Sequence, residues 1–125
     1  MATIPPFVAK NTRVNQSQSV KAKKFVWVPV GTGQVTRFSD HEVAVDGQIS
    51  ILGYSGNLNI YLQLTDNDPA AKSGSCILRL NKYEDSSAKY KVDGRALTVY
   101  AVLSGHKQNI SISPCNDGTQ TECKL

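Results

Sequence analysis

The feature that most constrains this chain is a strict alternation of residue types near its middle. From Leu58 to Leu64 every second residue is leucine or isoleucine, and polar or aromatic residues stand between them. Because successive side chains of a β-strand point to opposite faces, this pattern predicts a strand with one face on a core. The alternation resumes from Cys76 to Leu80, after a polar segment that is typical of a loop. Together these segments predict a fold built mainly from strands.

Other short runs of β-branched and aromatic residues also predict strands, because they are bounded by glycine-rich or polar turns. These runs are Phe25–Val30, Gln34–Phe38, Glu42–Val45, Gln48–Tyr54 and Gln108–Ser113. Between two of them, the dipeptide Asp46-Gly47 is typical of a hairpin turn.

The segment from Ala88 to Leu103 has a different pattern. Several of its apolar residues recur at three- and four-residue spacings, which predicts a helix with one apolar face. The strand-forming residues from Leu97 to Val102 favour a strand instead, and this alternative stays open. With the helix, the order of elements predicts an α+β fold that is mainly β with one helix, arranged as a small antiparallel OB-like barrel.

The length of 125 residues fits one domain with a single core. Residues 1–24 are rich in Asn, Gln, Ser and Lys, and their few apolar residues follow no steady period. We therefore predict an extended N-terminal arm over residues 1–24 and a single β-rich domain over residues 25–125.

The charge of the chain is mildly basic, with a net charge of +4. A nucleic-acid-binding protein usually carries a denser stripe of Lys and Arg interleaved with aromatic residues, so we expect no nucleic-acid partner. No stretch of the sequence is long and apolar enough to predict a membrane span.

The cysteines bear on the compartment. Cys115 and Cys123 flank a polar segment with an Asp-Gly turn signal, so the chain can double back and join them in a disulfide. Such a bond implies an oxidising compartment, and we expect a secreted or periplasmic protein. The alternative is three free thiols in the cytosol. Cys76 lies in an alternating segment and is expected to be a buried structural thiol.

No group of residues in the sequence resembles an active site. Asp40-His41-Glu42 contains ligand and acid–base types, but neighbours on one strand point to opposite faces. Asp66 and Asp68 are not followed by the glycine and glutamate of a calcium-binding loop. Motifs for a nucleophile elbow, a phosphate-binding loop or a zinc site are absent from the sequence. We therefore expect no enzyme activity, no cofactor and no metal.

Four features of residues 46–125 match a known family of binding proteins. They are a hairpin from Ile51 to Leu64 before a loop ending at Cys76, a predicted helix around Gly94–Tyr100, a Ser104-Gly105 break before a strand, and a cysteine-bounded tail from Ser113 to Cys123. In this arrangement the segment resembles the binding subunits of pertussis-like AB5 toxins, particularly those of subtilase cytotoxin and typhoid toxin.

The resemblance implies an OB-fold that assembles as a homo-oligomeric ring, binds host-cell glycans or glycoprotein receptors and associates with a toxin A-subunit. Those subunits carry a serine in their glycan pocket, and Ser50 is the best-matching position in this sequence. Tyr54 and Tyr61 are expected to line the same pocket. Leu62 stands where the family has a further cysteine, which leaves Cys76 without the partner it has in those subunits.

The sequence therefore favours a secreted carbohydrate- or receptor-binding module. The alternative is a structural or assembly subunit of a virion or surface appendage, with the arm at residues 1–24 contacting neighbouring subunits. An inhibitor or immunity protein is a third hypothesis.

Overall fold

The structure is a computed structural model that describes residues 2–9, 11–19, 25–51, 54–68 and 70–115. Within these residues the chain forms eight β-strands and one 3-10 turn, Pro6–Ala9. The strands are β1 (Thr12–Ser19), β2 (Phe25–Ser39), β3 (Glu42–Ile51), β4 (Tyr54–Leu64), β5 (Ser73–Leu80), β6 (Tyr83–Asp93), β7 (Ala96–Leu103) and β8 (His106–Pro114).

The eight strands close into one antiparallel barrel. Each strand pairs with its neighbour in sequence, and β8 pairs back with β1, where Val14 lies opposite Ile112. Strand β4 lies between β3 and β5, so that Leu62 has Val43 on one side and Leu78 on the other. The prediction of a small antiparallel barrel is confirmed.

The core lies inside the barrel, and the alternation predicted from the sequence places it there. In β4 the four alternating side chains from Leu58 to Leu64 are all at most 2% exposed. In β7 the inward-facing residues are Leu97, Val99, Ala101 and Leu103. The strand prediction for the middle of the chain is therefore confirmed.

The predicted helix over residues 88–104 is wrong. This segment is the hairpin of β6 and β7, and Gly94 in its turn has a φ of 60°, which glycine adopts without strain. The three- and four-residue spacings arose by chance from residues of two different strands, some facing inward, such as Val99, and some outward, such as Tyr100. The β-branched residues of β7 favour the extended conformation, and pairing on both sides stabilises it.

The strand order also differs from an OB-fold, which is a five-stranded Greek-key barrel. Here eight strands follow one another around the barrel in sequence order, which is an up-and-down arrangement. Asp46-Gly47 is likewise not a turn but lies inside β3. Gly47 is opposite Gly33 of β2, and a Cβ atom at position 47 would overlap the carbonyl oxygen of Thr32. Glycine is needed there because two backbones approach closely.

The N-terminal segment, residues 2–9, belongs to the core. The side chains of Ala2, Ile4 and Val8 are at most 1% exposed and join the same cluster as the barrel interior. The amide of Ala2 donates to the carbonyl of Asp66 at 2.8 Å, and the amide of Ile4 donates to the carbonyl of Asp40 at 2.8 Å. Both acceptors lie at the same end of the barrel, so the N-terminal segment closes that end.

A guanidinium group further secures this closure. Arg37 of β2 donates to the carbonyl of Pro5 at 2.7 Å and to that of Ile4 at 3.2 Å. The described residues of the region assigned from sequence to an arm are therefore a core segment (2–9) and a barrel strand, β1. Strand β1 had no visible period because all of its residues from Asn15 to Ser19 are Asn, Gln or Ser. Within the described residues, no helix is long and apolar enough to cross a membrane.

We expect Ile4→Ala to destabilise the barrel by about 2–5 kcal/mol, because it removes a buried side chain and leaves a cavity. Thr3→Ala is the matched control, since Thr3 is exposed beside it, and should change stability by less than about 0.5 kcal/mol. Urea unfolding followed by circular dichroism measures both. Equal stability of the two variants would contradict the packed N-terminal segment.

Candidate functional site

The outer surface of β6, β7, β8 and β1 carries the candidate site. Because Leu97, Val99 and Ala101 face the core, the residues between them on β7 face outward. Tyr100 is one of these, and 42% of its surface is exposed. A large aromatic ring is thus held on the outside of the barrel by the same alternation that fills the inside.

The strand register sets polar residues beside this ring in rows. One row runs across four adjacent strands and consists of Lys91, Thr98, Ser111 and Asn15. The next row contains Tyr100, flanked by Lys89 on β6 and Asn109 on β8. Neighbouring strands are about 4.8 Å apart, so side chains within a row are in reach of a single small ligand.

Two clefts adjoin at the ring. The first has a volume of about 400 Å³ and includes the row from Lys91 to Asn15, together with Asp93 and Ser113. The second has a volume of about 290 Å³ and includes Asp85, Val102 and Lys107. Tyr100 lines both clefts. We call the combined feature the Tyr100 groove.

The second cleft lies over an opening between β6 and β7. These strands pair only from Lys89 to Asp93 on β6, although β6 begins at Tyr83. The register between β5 and β6 shifts in the same region, between Cys76 and Leu78 on β5. From Tyr83 to Ala88, therefore, the backbone of β6 does not pair with that of β7, and the pairing of the two strands ends at Lys89 and Tyr100.

The carboxylate of Asp85 bridges this opening. Its Oδ2 accepts a hydrogen bond from the amide of Val102 on β7 at 2.8 Å. Its Oδ1 accepts one from the amide of Ser87 on β6 at 2.9 Å. A side chain thus replaces a missing bond of the strand ladder and holds the second cleft in shape.

The site residues predicted from sequence lie elsewhere on the barrel. The backbones of Ser50 and Tyr54 are paired near the far ends of β3 and β4, but their side chains are outside the described part of the structure. Tyr61 faces outward on β4, and its hydroxyl donates to Glu42 Oε2 at 2.6 Å. Tyr61 is not among the described residues that line the Tyr100 groove, and the backbones of Ser50 and Tyr54 belong to β3 and β4, which do not carry it.

Tyr61 is the centre of a cluster on the opposite side from the groove. The ring of Phe38 is 6.4 Å away between centroids, and the guanidinium carbon of Arg79 is 5.5 Å from the Tyr61 centroid. Glu42 Oε1 accepts from Ser39 Oγ at 3.2 Å and is 3.4 Å from His41 Nε2. Both carboxylate oxygens of Glu42 are therefore already engaged.

The contact between His41 and Glu42 corrects an expectation from the sequence. Strand geometry predicted that their side chains diverge, but His41 lies in the turn between β2 and β3, where that alternation does not hold. The hydrogen bond from Tyr61 lowers the pKa of Glu42, against a smaller opposing effect of burial. The same bond, together with burial, raises the pKa of Tyr61. The tyrosine hydroxyl therefore stays a donor to the carboxylate.

The cysteines differ in environment. Cys76 is a free thiol buried in the core, and burial, with a smaller effect of Asp85, raises its pKa to about 12. Cys115 is also buried, just after β8. Cys123 lies outside the described residues, so the Cys115–Cys123 disulfide stays a prediction.

Sequence reasoning missed Tyr100 because it placed this residue on the apolar face of a helix. The signal that finds it is the alternation of Leu97, Val99, Ala101 and Leu103, which turns Tyr100 outward in a strand. Among the described residues, no group of three or more His, Cys, Asp or Glu side chains is arranged to hold a metal ion. In comparisons with known proteins, no protein-family model, curated protein or solved structure matches the chain significantly.

We expect Tyr61→Phe to raise the pKa of Glu42 toward its ordinary value of 4.5, because the donated hydrogen bond is lost. In the folded wild type the pKa of Glu42 is lowered, so the bond contributes its full stability above pH 4.5 and loses it as the pH falls through the lower, folded value. Carboxyl NMR titration measures the pKa, with Tyr83→Phe as the control on an exposed tyrosine. An unchanged Glu42 pKa in Tyr61→Phe would contradict the assignment.

We expect Cys76 to resist alkylation in the native protein, because the thiol is buried and its pKa of about 12 leaves almost no thiolate at neutral pH. In denaturant the same residue should react within minutes. Iodoacetamide labelling followed by peptide mapping distinguishes the two states. Rapid native labelling at Cys76 would show that the barrel core admits solvent.

Proposed function

We propose that this protein is a carbohydrate-binding module and that the Tyr100 groove is its binding site. The observation that carries the proposal is the exposed ring of Tyr100, which lies between two shallow clefts lined with hydroxyl, amide and charged side chains. Sites for small ligands are concave and combine an apolar surface with a few well-placed polar groups.

The chemistry of the groove matches that of a sugar. A pyranose ring has an apolar face of C–H groups and an edge of hydroxyls that both donate and accept hydrogen bonds. Tyr100 supplies a flat apolar surface with a polar tip. Asn15 and Asn109 supply amides that both donate and accept, and Ser111 and Ser113 supply hydroxyls that do the same.

The groove is also held rigidly by the barrel. Its side chains come from strands that are hydrogen-bonded on both sides, rather than from long loops. Where pairing fails, between β6 and β7, the two hydrogen bonds to Asp85 replace it. A binding surface that is already ordered loses little conformational entropy when a ligand binds, which favours affinity.

The resemblance to AB5 toxin binding subunits implies the same class of ligand at a different place, and one of its four features, the helix around Gly94–Tyr100, is instead part of the β6–β7 hairpin. It assigns the glycan pocket to Ser50, with Tyr54 and Tyr61, whereas the Tyr100 groove is on another part of the barrel wall. In this proposal the protein is secreted or periplasmic and its partner is a glycan or glycoprotein on a host cell. A homo-oligomeric ring and a toxin A-subunit stay predictions of the resemblance alone.

The assembly-subunit hypothesis has less support. It requires residues 1–24 to extend toward a neighbouring subunit. The described part of this region instead fills one end of the barrel and forms β1, which pairs with both β2 and β8. These contacts leave residues 2–9 and 12–19 committed to their own barrel.

We expect Tyr100→Ala to weaken oligosaccharide binding about tenfold or more, because it removes the apolar platform while the polar groups remain. The wild-type protein is first screened on a glycan array, and the strongest ligand is then titrated by calorimetry. Tyr83→Ala is the matched control, since Tyr83 is 40% exposed against 42% for Tyr100 and lies outside the groove.

Circular dichroism should show the same fold for both variants. Retention of full affinity by Tyr100→Ala, with loss in Ser50→Ala, would move the glycan site to the pocket that the toxin resemblance implies. Absence of any array signal for the wild type would overturn the proposed function.

A further inference from the structure

We infer that the Tyr100 groove selects acidic oligosaccharides, whose carboxylate or sulfate groups are bound by Lys91 and Lys107. This inference rests on the proposed function and adds the charge class of the ligand. It follows from three observations: the distribution of charge around the barrel, the places of the two lysines, and the engagement of the nearest carboxylate.

Charge is divided between the two halves of the barrel wall. Residues 72–107, which include β5, β6 and β7, contain seven Lys and Arg residues against three Asp and Glu. Residues 25–71, which include β2, β3 and β4, contain one against five. All seven basic residues of the first half are exposed. The Tyr100 groove therefore lies on the electropositive half, which attracts anions over a distance of about 8–10 Å at physiological salt.

Two lysines lie on either side of Tyr100. Lys91 is on β6, in the row beyond the ring, and lines the first cleft. Lys107 is on β8, opposite Val102 in the row on the other side, and lines the second cleft. Counting two strand spacings across and four residues along gives a separation of roughly 17 Å between their Cα atoms. An oligosaccharide that stacks on Tyr100 and extends along the groove reaches both.

The two ammonium groups are available to a ligand. Within the part of the chain that the structure describes, neither Lys91 nor Lys107 has an ion-pair or hydrogen-bond partner. Lys89, in the same row as Tyr100, differs because its Nζ donates to Ser75 Oγ at 3.1 Å. Lysine has three donors and no acceptor, so an anionic oxygen satisfies it better than a hydroxyl does.

Neither carboxylate of the groove, Asp85 or Asp93, forms an ion pair with Lys91 or Lys107 among the described residues. Asp85 lies in the cleft of Lys107, but each of its oxygens already accepts a backbone amide hydrogen bond. Asp93 lies two residues beyond Lys91 on β6, at the end of the groove away from Tyr100. A ligand centred on the ring therefore meets Lys91 and Lys107 before it meets Asp93.

The test compares matched acidic and neutral ligands by calorimetry on the full-length protein. A heparin-derived hexasaccharide is set against its desulfated, N-acetylated and carboxyl-reduced form. A galacturonic acid oligomer is set against its methyl ester. We expect both acidic ligands to bind more tightly than their neutral partners, with the difference shrinking as sodium chloride rises from about 0.05 to 0.5 M.

Variants then assign the effect to the two lysines. Lys91→Gln and Lys107→Gln should each lower the ratio of acidic to neutral affinity about three- to fivefold, and together about tenfold or more. Lys82→Gln is the control, since Lys82 is exposed on the same half of the barrel but outside the groove. Its affinities should match the wild type for both ligands.

The outcomes separate this inference from the proposed function. Equal binding of acidic and neutral ligands, both weakened by Tyr100→Ala, would overturn the charge preference and leave the carbohydrate site standing. Weakening of acidic binding by Lys82→Gln as much as by Lys91→Gln would show diffuse attraction and overturn the assignment to the groove. Binding of none of these ligands by a protein that does bind glycans on the array would overturn the charge preference alone, whereas absence of any array signal as well would overturn both.

Discussion

The hydrogen-bonded pairing of β1 with β8 is the constraint on which the rest of the molecule depends. It joins the first strand to the last and turns an open sheet, with two unpaired edges, into a closed barrel. The Tyr100 groove crosses this seam, because Asn15 is on β1 and Ser111 lies opposite it on β8. Closure therefore does more than protect edges: it brings the two ends of the chain together to complete the surface we propose as the binding site.

Part of the groove lies where the pairing of β6 with β7 is interrupted. Pairing between β6 and β7 ends where the register between β5 and β6 shifts, and an unpaired backbone amide at such a place is costly. Asp85 satisfies two amides, from Ser87 and Val102, and each of its carboxylate oxygens accepts one of these hydrogen bonds. One side chain thus stabilises the opening and shapes the second cleft, and it forms no ion pair with the lysine that lines the same cleft.

The sequence predicted the strands whose alternation is strict and failed where the pattern is mixed. Leu58–Leu64 was identified because one face is wholly apolar, whereas β1 was not, because closure of the barrel stabilises it more than its own few apolar residues do. At β6 and β7 two short strands imitated a helical spacing, and this error hid Tyr100 as a core residue. The site itself could not be predicted, since its members come from four strands whose register is a tertiary property.

The pairing of the first strand with the last has a further consequence for synthesis of the protein. A ribosome delivers β1 early and β8 last, so the seam cannot form until nearly all of the described chain has left the exit tunnel. At about 5–20 residues per second, β1 waits for several seconds with one edge unpaired. Its run of Asn, Gln and Ser residues from Asn15 to Ser19 makes that waiting strand hydrophilic. The polar composition that prevented the prediction of β1 from the sequence thus disfavours aggregation of the nascent chain before the barrel closes.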